Sequence, residues 1–178
     1  MTTSLDLWRK NAEPFGSLVS RATNWDAPTP CEGWTARDLV EHVVSTERDF
    51  LKQHGLAGPV VDTANPERQW LEHERFVAEL LADPAVAGRE FAGYFGPSTI
   101  GETLPGFYGG DLIVHRWDLA ISQGADAELS EEDLDAVDAA MDGFGEQAYG
   151  PGLFGPPVPV PDDAGHQRRV LARTGRRS

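Results

Sequence analysis

A single cysteine, Cys31, stands among the 178 residues, so no disulfide can form within the chain. A reducing, cytoplasmic compartment is the expectation. Long apolar runs are missing as well. Nowhere do about eighteen apolar residues follow one another, and the opening Met1 to Trp8 lacks both the basic and the apolar stretch of a secretory signal. No membrane anchor is expected. Basic residues are scarce, fifteen against twenty-nine acidic ones, and Arg168, Arg169, Arg173, Arg176 and Arg177 crowd the C-terminal end. The body before them is more acidic still than the net charge of -14, and such a surface repels phosphate backbones and anionic lipid. Nucleic acid and membrane are not expected as partners; a small-molecule substrate is. The basic tail should either dock on the acidic body or stay solvated.

What is present is an ordinary globular composition, 40% hydrophobic and 25% charged, in a chain long enough to bury a core without help from a metal. No repeat of roughly 20–50 residues is visible, which argues against a solenoid. The patterning is helical. Leu5, Trp8, Ala12, Phe15, Val19 and Ala22 recur at three- and four-residue steps, with Pro14 expected to kink or split that helix. Thr35 and Asp38 form a capping pattern that should open a second helix, with Leu39, His42, Val43, Thr46 and Phe50 on its buried stripe and a stop near Gly55.

A third helix is expected over 65–82, with Trp70, Phe76, Val77, Leu80 and Leu81 inward. From Val86 to Gly106 the period fails, and Phe91, Tyr94 and Phe95 suggest a long loop or small hairpin that walls a pocket. A fourth helix should run from about Phe107 to Ser122, with Gly124 past its end, and a fifth from Ser130 to about Tyr149. The segment Gly150 to Gly165 holds Pro151, Pro156, Pro157, Pro159 and Pro161 and should be an extended strap, followed by a short helix over His166 to Thr174. The expectation is an all-α bundle over 1–150, with a proline-rich strap and short basic helix, 151–178, packed on it.

Asp111 and His115 stand four residues apart, so on a helix they share one face and can grip one ion. His42 sits on an apolar stripe, where a lone imidazole needs a partner for each nitrogen. Two imidazoles and a carboxylate from two helices would leave open positions on a metal. Spacing alone leaves alternatives: His42 as a hydrogen-bonded core histidine, and Asp111, following Gly109 and Gly110, as a helix N-cap. Asp118, three residues beyond His115, can orient that ligand or instead hold Arg116 or a neighbouring helix. His54 and His73, flanked by charged and polar residues, are expected at the surface. Cys31 is read as structural, Trp34 and Trp117 as packing anchors, and Glu131 to Asp138 as a solvated helix face.

Three segments carry a resemblance: Pro28 to His42 (PTPCEGWTARDLVEH), Asp111 to Ala120 (DLIVHRWDLA), and the Phe154-Gly155-Pro156 to Pro161 strap leading to Gly175-Arg176. Together they resemble the DinB-like superfamily, in its branch related to mycothiol-dependent maleylpyruvate isomerase. The resemblance implies an up-and-down four-helix bundle in which His42, Asp111 and His115 bind a divalent metal, zinc foremost, with nickel, iron or manganese also suited. It implies mycothiol as a possible cosubstrate and a transferase or isomerase reaction in which the metal-bound thiol attacks an electrophile. The isomerases carry Glu where this chain has Asp111, and these residues do not include their extra C-terminal domain, so maleylpyruvate is not the expected substrate. Two other readings stand beside this one: a non-catalytic metal- or small-molecule-binding stress protein, and a thiol-independent metal hydrolase or biosynthetic enzyme. Bundles of this kind often pair as homodimers, although no exposed stripe here requires it.

Overall fold

The computed structural model describes residues 2–94, 96–150 and 153–177; Phe95 and Pro151 of the sequence reading lie outside them. Helix α1 (Ser4–Val19) opens at Thr3, whose hydroxyl accepts from the Asp6 N–H while Asp6 accepts from the Thr3 N–H at 2.9 Å. It runs on through Pro14 without the split that was one of the two expectations there. One N–H is lost there, but Trp8, Ala12, Phe15 and Val19 on either side are wholly buried and hold the helix to the core. Helix α2 (Ala36–Gln53) begins at the Thr35–Asp38 capping box and stops before Gly55, whose φ of +72° is the left-handed conformation glycine tolerates. Helix α3 (Pro66–Ala82) starts from Asn65, which accepts from the Arg68 N–H.

A short helix α4 (Pro84–Ala87) leads into the small hairpin that was one of the two expectations for this region. Strand β1 (Glu90–Gly93) pairs antiparallel with β2 (Gly96–Thr99), Glu90 opposite Thr99. Helical structure then resumes earlier than the sequence suggested. Thr99 and Glu102 form a capping box, and α5 (Ile100–Thr103) continues through a wide π-helical turn, Leu104–Tyr108, directly into α6 (Gly109–Ser122). Pro105 lies within that turn. A proline lacks the N–H that the ladder needs and crowds the turn before it, and an expanded turn accommodates both defects. Beyond lie α7 (Glu131–Phe144), a 3-10 turn over Gly145–Tyr149, the strap, without helix or strand over its described residues 153–165, and α8 (His166–Arg173).

The fold is all-α apart from the hairpin. Helix α1 packs on α3 and α6, and α2 packs on the same two, so the order around the bundle is α1, α3, α2, α6. The first two helices thus occupy opposite corners. Trp70 stacks on Trp8 with ring centroids 6.5 Å apart and meets the edge of Phe15 at 4.7 Å; each such buried aromatic contributes on the order of 2–3 kcal/mol by removal from water. The other face of α6, through Ile113, Val114 and Trp117, builds a second core with Leu134, Val137 and Met141 of α7 and Val170 and Leu171 of α8. Helix α6 is therefore shared between two cores and cannot shift without disturbing both.

His73 is a correction to the sequence reading. It is fully buried, its Nε2 2.9 Å from Oε2 of buried Glu47. Its flanking charges, Glu72 and Glu74, suggested a surface position, but it follows Trp70 by three residues and precedes Val77 by four, which puts it on the core stripe. His54 is half-buried against Phe50 and Phe91. Docking is what the basic tail does: Arg173 reaches Asp138 and Asp142, and Arg176 is buried. Strap and tail cross where Gly175, at φ +82°, approaches Gly155 so closely that a Cβ would stand 3.1 Å from the Gly155 backbone. Among the described residues no helix is long and apolar enough to cross a membrane.

Candidate metal centre

The loop before α2 is fixed by Thr29 N–H donating to the Trp34 carbonyl at 2.9 Å and by Thr35 N–H donating to Asp38 at 2.8 Å. Two turns into the helix, His42 faces α6. From α6 come Asp111 and His115, one turn apart. His115 Nε2 stands 3.4 Å from Asp111 Oδ1, and His42 Nε2 stands 3.9 Å from Asp111 Oδ2. One donor atom from each of the three residues lies within 4.8 Å of the others. The three residues named from spacing and resemblance are thus brought together.

These separations bear on what the cluster can hold. Charge-assisted hydrogen bonds are about 2.7–2.9 Å long, shorter than either contact. Donors placed about 2.1 Å from one zinc-sized ion stand about 3.0–3.4 Å apart, so two imidazoles and a carboxylate in this arrangement fit a first-row divalent metal with only a small closing movement. The N-cap alternative for Asp111 is removed, because the helical run starts at Thr99 and Asp111 lies well inside it.

His115 is held from behind. Its Nδ1 is 3.0 Å from Oδ2 of Asp118, which is wholly buried. Asp118 in turn receives the fork of Arg176, Nε donating to Oδ1 at 3.2 Å and Nη2 to Oδ2 at 2.8 Å. Arg116, the partner the sequence reading offered for Asp118, pairs with Asp133 at 2.7 Å. A metal-bound histidine whose other nitrogen rests on a carboxylate is aimed and made a better donor. Cys31 joins this group, with Sγ 3.3 Å from Asp118 Oδ2 and 3.4 Å from Arg176 Nη2. Trp34 packs on both imidazoles, 4.6 Å from the His42 ring and 6.2 Å from that of His115. Trp117 is an anchor of the second core.

The electrostatics separate the two histidines. Burial, and then the neighbouring His115, lower the pKa of His42, so it is neutral at pH 7. Burial disfavours charge on His115 too, but Asp111, the Asp118 hydrogen bond and Cys31 outweigh it and raise its pKa to about 10. Burial would raise Asp118, yet His115 and Arg176 hold it down at about 2. Tyr108, raised by burial and by Glu47 and Asp111, keeps its phenolic proton.

The three donors open into a pocket of about 960 Å³. Its lining also takes in α7, the strap and the tail; among the described residues of the 86–106 segment, where walls were expected, Gly106 alone contributes. The contacts of Cys31 with Asp118 and Arg176, and the places of Arg176 and α7 at the pocket, were not foreseen from sequence. The one available signal was Gly175-Arg176 within the resemblance, which carried no role for the arginine.

Residues 8–93 match the family model described as "Mycothiol maleylpyruvate isomerase N-terminal domain". Uncharacterized protein Rv0738 of Mycobacterium tuberculosis (strain ATCC 25618 / H37Rv) and Uncharacterized protein MT0763 of strain CDC 1551 / Oshkosh are each 30% identical over 171 residues, 92% of this chain and 92% of theirs. No solved structure matches the chain. The family model and the relatives, with the helical bundle, agree: the chain belongs to the mycothiol maleylpyruvate isomerase N-terminal domain family.

Proposed function

We propose that this protein is a divalent-metal-dependent enzyme that uses a low-molecular-weight thiol, mycothiol by its family, in a transferase or isomerase reaction. His42, Asp111 and His115 are the metal donors. The observation that carries the reading is the convergence of two Nε2 atoms and a carboxylate at the base of a pocket, with His115 aimed by buried Asp118. A divalent ion bound there favours a thiolate over a thiol at neutral pH and supplies a nucleophile.

The chain's own groups prepare that chemistry. His42 is neutral at pH 7 and offers its lone pair. Asp118 holds the Nδ1 proton of His115, which leaves Nε2 as the nitrogen that faces Asp111. Trp34 packs against both imidazoles, stacked on the His115 ring and tilted against that of His42. The Tyr108 phenol lines the pocket with its proton in place, a donor for an oxygen that gains negative charge.

Purified protein should hold about one equivalent of divalent metal, and turnover of a model electrophile should require both metal and mycothiol. Metal-dependent turnover without thiol favours the hydrolase or biosynthetic alternative, and metal binding with no turnover across a thiol panel favours the binding-protein alternative. Failure to take up zinc, nickel or manganese removes the proposal altogether.

Metal uptake should also be linked to pH. In the metal-free protein His115 is charged at all pH values below about 10, so binding at pH 7 must displace its Nε2 proton. Affinity should therefore rise with pH, about tenfold per unit between pH 6 and 8, with about one proton released per ion. Calorimetric titration in two buffers of different ionisation enthalpy measures that proton directly. A dissociation constant flat over this range contradicts the assignment of His115 as the protonated donor.

A further inference from the structure

Two chemically distinct stretches make up the pocket lining. On one stand the metal donors and Tyr108. On the other, α7 presents Val137, Met141 and Phe144, and the strap presents Leu153, Phe154 and Val158. At about 960 Å³ the cavity lies at the upper end of the roughly 300–1,000 Å³ usual for small-molecule sites. It has room for a thiol and a second molecule together.

The buried cation along it is already committed. Arg176 donates to both oxygens of Asp118, to Cys31 Sγ and to the Thr174 carbonyl, and its guanidinium lies over the Phe154 ring at 5.8 Å. Arg177 is the one cation lining the pocket that has no ion pair among the described residues, and it is exposed to solvent. Glu32 and Asp111 add negative charge to the same cavity. A carboxylate laid along the α7 wall would shed its hydration and gain no hydrogen bond in return. An alkyl or aromatic group there displaces water from apolar surface.

We propose that the second substrate of this pocket is an uncharged small molecule with an apolar body, which lies between α7 and the strap with its reactive end toward His42, Asp111 and His115. The proposal rests on the metal-site reading only for which end reacts. It sets this chain apart from a dicarboxylate specialist such as the family's description suggests.

The test uses the full chain loaded with zinc, a neutral fluorophore (N-phenylnaphthylamine) as probe, and maleate as a dicarboxylate competitor. Saturable one-site binding with enhanced fluorescence is expected, undiminished by millimolar maleate. Phe144→Ala and Leu153→Glu should each weaken it about five- to tenfold. Leu153 is half-exposed, so that variant keeps the fold, and zinc content in both variants should stay at the wild-type level. The inference is overturned by absence of saturable binding, by variants that bind the probe as well as wild type, or by displacement with maleate. A protein that takes up no zinc but binds the probe in this variant-sensitive way retains the apolar pocket and loses the metal reading. One that takes up zinc and ignores the probe does the reverse.

Discussion

His115→Ala protein should take up less than about a tenth of an equivalent of zinc under conditions that load the wild type, a loss of at least about a thousandfold in affinity. Three protein donors converge on this position, and His115 alone among them is both buried and braced, with its Nδ1 on Asp118. Without it, His42 and Asp111 remain as a half-exposed pair that water can solvate. Two ligands on separate helices hold an ion no better than many surface sites do. The consequence for stability is measurable beside the stoichiometry. An ion at a hundred times its dissociation constant stabilises the folded state by about 2.7 kcal/mol, so added zinc should raise the wild-type melting temperature and leave that of His115→Ala unmoved. The variant itself loses a buried hydrogen bond, about 1–3 kcal/mol, so its metal-free melting curve sets the baseline. A His115→Ala protein with one tightly held equivalent and an undiminished zinc-dependent shift would place the metal elsewhere.

The parts of this site legible in sequence are those set by local rules. Thr35 and Asp38 announce the start of α2 because a capping box closes within four residues, and His42 then follows on the core-facing stripe. Asp111 and His115 announce each other because four residues make one helical turn. The Thr99–Glu102 box was equally local, but it lies within the 86–106 stretch where the helical period fails, and nothing in composition marks the wide turn that absorbs Pro105 within a continuing helix. His73 was misplaced when the charge of its neighbours was weighed above its spacing from Trp70 and Val77. Contacts made across long stretches of chain were out of reach. Arg176 meets Asp118 from 58 residues away and Cys31 meets it from 87, and no periodicity in either segment encodes the meeting. The pocket walls were out of reach for the same reason: α7 and the strap join the donors around one cavity from distant stretches of the chain.

Asp118→Ala should produce the other large effect, in two quantities that can be separated. Asp118 is wholly buried and bonded to His115, Arg176 and Cys31 at once. Its removal leaves the Arg176 guanidinium desolvated and unpaired, a defect worth about 3–5 kcal/mol. It also frees the His115 ring to turn, for which a loss of about 10–100-fold in metal affinity is expected. The stability effect has a defined pH dependence. The folded-state pKa of Asp118 is depressed from 3.8 to about 2, so its contribution is present in full above the ordinary carboxylate range and fades as pH falls through about 2. Urea denaturation of metal-free protein should accordingly show a wild-type advantage at pH 7 that narrows toward pH 2. The double variant Asp118→Leu with Arg176→Leu tells packing apart from positioning, because an apolar pair can replace a buried ion pair without loss of stability. It should regain most of the melting temperature while zinc affinity stays low. Recovery of both would mean that the carboxylate only joins the tail to the bundle; recovery of stability alone identifies it as the group that aims His115 at the metal.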